Sequence, residues 1–174
     1  MMDKIAKILG ILISALFFVY LAIPGPSFPE PPPGAVQSEE KADQETPLRR
    51  AYFTNLARQE VVDYYREAFG KSPLGFSFGS IRLNYPPEDA QTLIRDQTRG
   101  TFLEEIAHPF RESIYINGFE PKDPKDDVWY KGVDYRQKII IKHHPSSFLV
   151  RIPIAALTIF ATYFLVKEWL KVYA

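Results

Sequence analysis

Ile8 to Ile23 reads ILGILISALFFVYLAI without a charge, and Ile152 to Val166 reads IPIAALTIFATYFLV between Arg151 and Lys167. These two stretches decide the reading of the chain: hydrophobic rods at either end of a polar middle. Crossing a hydrocarbon core of ~30 Å takes about 20 apolar residues as a helix. The first stretch reaches that length if Ile5 and Ala6 are included and Lys4 and Lys7 snorkel to the headgroups. The second spans only roughly 23 Å at 1.5 Å per residue. Arg151 and Lys167 can reach toward opposite interfaces and supply the rest. Ser146 or Ser147 is a fitting N-cap, Pro153 falls within the opening turns, and Tyr163, Trp169 and Tyr173 form an aromatic belt toward one end.

The predicted spans are therefore residues 8–23 and 146–166, with tails at 1–7 and 167–174. The alternatives are a pair of buried core helices, and a cleaved signal peptide at the start. Prolines crowd the region after Ala22 and no A-x-A pattern appears, which favours an uncleaved signal anchor. Lys4 and Lys7 mark one tail, and Lys167 and Lys171, beside Trp169, mark the other. Basic flanks face the cytoplasm, so both termini are expected there and the middle outside. The basic group Lys138, Lys142, His143, His144 and Arg151 on the outer side runs against this orientation.

Lys plus Arg and Asp plus Glu both total 21, so the net charge is zero and nothing draws the chain toward nucleic acid. The absence of cysteine excludes disulfides, zinc–thiolate sites and thiol catalysis. Residues 24–47, PGPSFPEPPPGAVQSEEKADQETP, are proline-rich and acidic and read as a disordered linker. Two PxxP matches lie inside it, Pro26 to Pro29 and Pro29 to Pro32. A semi-rigid spacer reaching up to ~70 Å is the expected role, leaving the first span a long tether.

Residues 48–145 are expected to form an α+β domain, helices against a mainly antiparallel sheet, between the two transmembrane helices. Thr46 as N-cap and Pro47 at N1 predict a helix ending at Gly70, with a core stripe of Phe53, Ala57, Val61, Tyr64 and Ala68. Residues 78–85 predict a strand. A second helix opens at Pro87, Glu88 and Asp89 and buries Ala90, Leu93 and Ile94. Phe102, Leu103, Ile106, Ala107 and Phe110 predict further helical turns after Gly100. Residues 112–119 and 133–143 predict two strands that pair antiparallel, joined through a charged loop at 120–127. Only residues 144–147 separate the last strand from the second span, so the domain should sit against the bilayer. Lys138 and Lys142 share a strand face, with Arg151 just beyond, which makes anionic lipid headgroups natural partners.

Each chemical motif lacks its context. Gly75-Phe76-Ser77-Phe78-Gly79 matches G-x-S-x-G, but it follows a helix and leads into a strand, the reverse of a nucleophile elbow. Gly70-Lys71-Ser72 echoes a phosphate loop without its strand. Glu104, Glu105 and His108 give a single E-x-x-H where a di-iron bundle needs two. Adjacent His143 and His144 point to opposite sides of a strand. Asp123, Asp126 and Asp127 lack the glycine and terminal glutamate of an EF-hand. No catalytic residue, metal ligand or cofactor is therefore assigned. The expected role is a two-pass membrane protein presenting a non-catalytic interaction or scaffold domain, with lipid and other membrane proteins as partners and an accessory subunit as its place. A membrane-anchored hydrolase using Ser77, or a peripheral subunit of an energy-transducing complex, is the alternative.

Overall fold

A computed structural model describes residues 2–71, 79–95 and 99–173; residues 75–78 of the G-x-S-x-G match, Ser77 among them, lie outside the described residues. The chain divides into two compact units, Met1–Pro24 with Ser146–Ala174, and Gly25–Pro145. The chain is α+β, an antiparallel six-stranded sheet with helices, flanked by two helices long and apolar enough to cross a membrane.

The first helix, α1, is Met2–Ala22. Ile8, Leu9, Ile11 and Ile13 lie exposed over more than half of its circumference, a wider apolar surface than the single stripe of a surface helix.

Residues 25–47 depart from the expected disordered linker. Pro29 and Pro32 are buried and three residues apart, the spacing that falls on one side of a polyproline helix. Phe28 packs against the domain core, and the Tyr64 hydroxyl donates to the carbonyls of Glu30 (3.3 Å) and Pro31 (2.9 Å). Gly34, at φ +74°, follows Pro33 in a turn closed by Ala35 N–H to Pro32 C=O at 3.0 Å, a conformation glycine adopts without a Cβ clash. The chain then enters β1 (Val36–Gln37) and a short 3₁₀ turn over Lys41–Gln44. Proline here stiffens a strap that is docked, because a preset backbone loses little entropy on packing.

Arg49–Thr54 forms strand β2, where a helix was expected to begin. Helix α2 is Arg58–Gly70, opened by the Glu60 carboxylate accepting the Ala57 amide at 2.6 Å. It buries Val61, Val62, Tyr65 and Phe69, a stripe turned by about one residue from the expected one, with Tyr64 only partly covered. Strand β3 is Ile81–Tyr85. The second predicted helix shrinks to a 3₁₀ turn (Pro87–Asp89) and a π turn (Gln91–Arg95). Phe102–Ala107, expected to be helical, is strand β4, followed by β5 (Ser113–Phe119). β6 (Val128–Tyr130) and β7 (Val133–Tyr135) form a separate hairpin, and β8 is Gln137–His144.

The sheet order is β1-β2-β8-β5-β4-β3, every pair antiparallel, and the expected pairing of the last two long strands holds with Ser113 opposite His144 and Phe119 opposite Lys138. α2 covers one face, burying Tyr52, Phe102, Ile106, Ile114, Ile116, Ile139 and Ile141. The turns at 87–95 cover the other, over Ala51, Leu103 and Ile140. Three consecutive isoleucines in β8 are thus buried because both of its faces are.

In the other unit, helix α3 runs Phe148–Tyr173, seven residues beyond the expected end at Val166. At 1.5 Å per residue it is ~39 Å long, so the anticipated shortfall does not arise. The Ser147 carbonyl accepts the amides of Val150 and Arg151, both at 3.0 Å. α1 and α3 contact each other, and the Arg151 guanidinium donates to the Ile23 carbonyl, just past the end of α1, at 3.4 Å.

Candidate functional site

The β4–β5 turn, residues 108–112, holds a buried ionic cluster that the sequence did not disclose. Ala107 pairs with Ser113, so His108-Pro109-Phe110-Arg111-Glu112 must reverse the chain within five residues. His108 N–H donates to the Glu112 carbonyl (3.0 Å) and Arg111 N–H to the His108 carbonyl (2.9 Å). The Glu112 carboxylate, with its side chain 1% exposed, accepts from Arg111 Nη2 at 2.7 Å and from His108 Nδ1 at 3.1 Å. A methyl on Gly25 would sit 2.9 Å from Glu112 Oε2, so the incoming strap passes against this carboxylate at a place only glycine fits without displacement.

Burial alone would push the Glu112 carboxyl upward. The His108 hydrogen bond and the Arg111 charge outweigh it and hold the group below the usual carboxylate range. His143, opposite Ile114 in β5, completes the neighbourhood at 6% exposure, and its Nε2 has no hydrogen-bond partner. Phe69 stacks on His108 at 4.8 Å and meets His143 edge-on at 5.8 Å, while Phe28 approaches His143 at 6.3 Å. Desolvation drives the His143 pKa down, the Glu112 charge opposes that, and the neighbouring His144 adds to it. In this setting His143 is a neutral imidazole sealed under aromatic rings. Glu112, held by Arg111 and His108, ties turn, strap and sheet together.

The expected interface residues are dispersed. Lys138 is committed to Asp43 (2.7 Å) and Glu40 (3.0 Å), and Lys142 donates to the Leu93 carbonyl at 2.6 Å. Both lysines do share a face of β8, and their ammonium groups contact the domain's own strap and turn. Arg151 is buried at 7% exposure. Lys4 and Lys7 are exposed on α1. Lys167 lies 5.9 Å from the Phe164 ring centre, Lys171 pairs with Glu168 at 2.6 Å, and Trp169 is exposed.

The E-x-x-H residues are pulled apart. Glu104 faces α2 and takes Arg58 Nε (3.0 Å) and Arg82 Nε (2.6 Å); burial opposes ionisation, but these hydrogen bonds prevail and lower its pKa. Glu105 faces the other side and accepts the Tyr85 hydroxyl at 2.6 Å, which raises the Tyr85 pKa, helped by burial. His143 and His144 point to opposite faces, with His144 against Tyr115 at 5.1 Å. Asp123 caps its own turn by accepting from Lys125 N–H. Among the described residues no group of three or more His, Asp or Glu side chains converges to hold a metal ion. The available signal for the turn cluster was the run HPFRE between two apolar segments, a reversal composition that helical spacing on either side disguised.

Compared with family models, with curated proteins and with solved structures, the chain matches none.

Proposed function

We propose that this chain is a two-pass integral membrane protein that holds a non-catalytic α+β interaction domain beside the bilayer, as an accessory or scaffold subunit of a membrane complex. The observation that carries the reading is the exposure of large apolar side chains around both α1 and α3, each long enough to span. The domain's ionisable groups support the interaction role, because Glu104, Glu105, Glu112 and Lys138 are consumed in internal pairs. Both tails lie in the cytoplasm on this reading and the domain lies outside, following the lysines at 4, 7, 167 and 171.

Alkaline carbonate washing of membranes tests the integral placement. The intact chain should stay in the pellet; recovery in the supernatant sinks the proposal.

A further inference from the structure

We infer that the outer edge of β3 (Ile81–Tyr85) is a self-pairing surface, where two copies of this chain join strand to strand, antiparallel, about a two-fold axis at Leu83. The inference goes beyond the membrane placement and stands on the sheet alone.

β3 ends the six-stranded sheet, and among the described residues no strand pairs with its outer side. The direction of its backbone groups follows from the ladder. Continuing the β4–β5 register by one step sets His108 opposite Glu112, and the His108 N–H does donate to the Glu112 carbonyl. Even-numbered residues of β4 therefore turn their main-chain groups toward β5, and odd-numbered ones turn toward β3. There Ala107, Glu105 and Leu103 face Ile81, Leu83 and Tyr85. The amides and carbonyls of Arg82 and Asn84 are left pointing out of the sheet.

This edge lacks the devices that keep strands apart. It has no lysine or proline, and its single charge, Arg82, is turned back onto Glu104 at 2.6 Å and Gln59 at 3.1 Å. Ile81 and Leu83 are 48% and 41% exposed. By strand alternation they share a face with Tyr85, which packs against the core over Ala51, Leu103 and Ile140. An added strand would extend that apolar face.

A second copy fits because the edge is its own complement. With Leu83 opposite Leu83 of the second copy, Arg82 meets Asn84 and Asn84 meets Arg82, closing about four main-chain hydrogen bonds. Ile81 then lies across from Tyr85 of the copy, a β-branched–aromatic pair of the kind that stabilises sheets. Sliding the copy by two residues one way brings Arg82 opposite Arg82, like charge on like charge. Sliding it the other way sets Arg82 opposite Pro86, which has no amide to give. The Leu83 register avoids both, and the contact is isologous, so it closes at two subunits.

The mass of the full chain in mild detergent tests this. The unaltered chain should run as a dimer and Leu83→Lys as a monomer, since two ammonium groups would face each other. Mixing Leu83→Lys with Leu83→Asp should restore the dimer. A monomeric unaltered chain overturns the inference, and so does a dimer that survives Leu83→Lys, because its contact lies elsewhere. Because the chain has no cysteine, Leu83→Cys gives a second measurement that needs no lysine in the sheet. Leu83 facing Leu83 is a non-hydrogen-bonded pair with Cα atoms about 4.5 Å apart, within disulfide reach. Mild oxidation in native membranes should link Leu83→Cys chains to each other and leave Lys125→Cys chains single. Equal linkage at both positions, or linkage of Leu83→Cys only to a different protein, overturns self-pairing.

Discussion

The histidines at the end of β8 and the Glu112 carboxylate in the turn lose their stabilising effect in different pH windows. His143 and His144 both have folded pKa values below the ordinary 6.5, through desolvation first. The unfolded chain therefore binds protons that the folded domain refuses, so stability is full above 6.5 and falls as pH drops below it. Glu112 has a folded pKa below 4.5, so its contribution persists to lower pH and is lost only as pH falls through the folded value. Chemical denaturation of the full chain in detergent should show a declining midpoint below about pH 6.5 that His143→Leu makes shallower. A midpoint equally steep in that variant would mean His143 is not refusing a proton. Glu112→Ala should cost about 3–5 kcal/mol near neutral pH, because Arg111 would be left charged in a buried place. Charges that cancel inside the turn leave no net-charge or spacing signature, which is why this cluster was not visible in the residue order alone.

At the scale of the elements, Phe102 and Gly118 face each other across β4 and β5, and a methyl group on Gly118 would overlap the Phe102 ring. The ring lies over the space a side chain would fill, a cross-strand arrangement that shields a glycine within a strand. Gly118→Ala should therefore destabilise the full chain by about 1–3 kcal/mol through overpacking. Combining it with Phe102→Leu should recover part of that loss in a double-mutant cycle, and strict additivity would show that the two positions do not touch.

The elements also show where the residue order was and was not informative. β5 and the body of α2 were legible because their apolar positions keep one period, and β8 because its run of three β-branched isoleucines favours a strand. β4 was not: both its faces are covered, so Phe102, Leu103 and Ile106 are all buried and the period is ambiguous between strand and helix. Glu104 and Glu105 deepened the confusion, since each is buried against partners distant in sequence, Arg82 and Tyr85. Thr46-Pro47 imitates a helix start, but Arg49–Thr54 is claimed by pairing with β8, and tertiary pairing overrides a local cap signal. The proline-rich stretch looked unable to fold by composition; it borrows its core from Tyr64, His143 and Arg50.

Over the whole molecule, the proposed two-pass reading puts both tails on one side, and that orientation makes a direct forecast. With single thiols at Lys125→Cys and Lys171→Cys, an impermeant maleimide added to intact cells should label only the first. Labelling of the second without permeabilisation would reverse the topology.

The sheet's order also has a consequence for how the chain is made. β8, which joins β2 to β5, is the last of its strands to leave the ribosome, and α3 begins four residues behind it. Until then the nascent domain is two fragments, β1–β2 and β5-β4-β3, each with an open edge of unsatisfied amides and carbonyls that invites stray pairing. Translation thus seals those edges with the same short stretch of chain that leads into the second apolar helix, so on the proposed membrane placement maturation of the domain and capture by lipid are nearly one event.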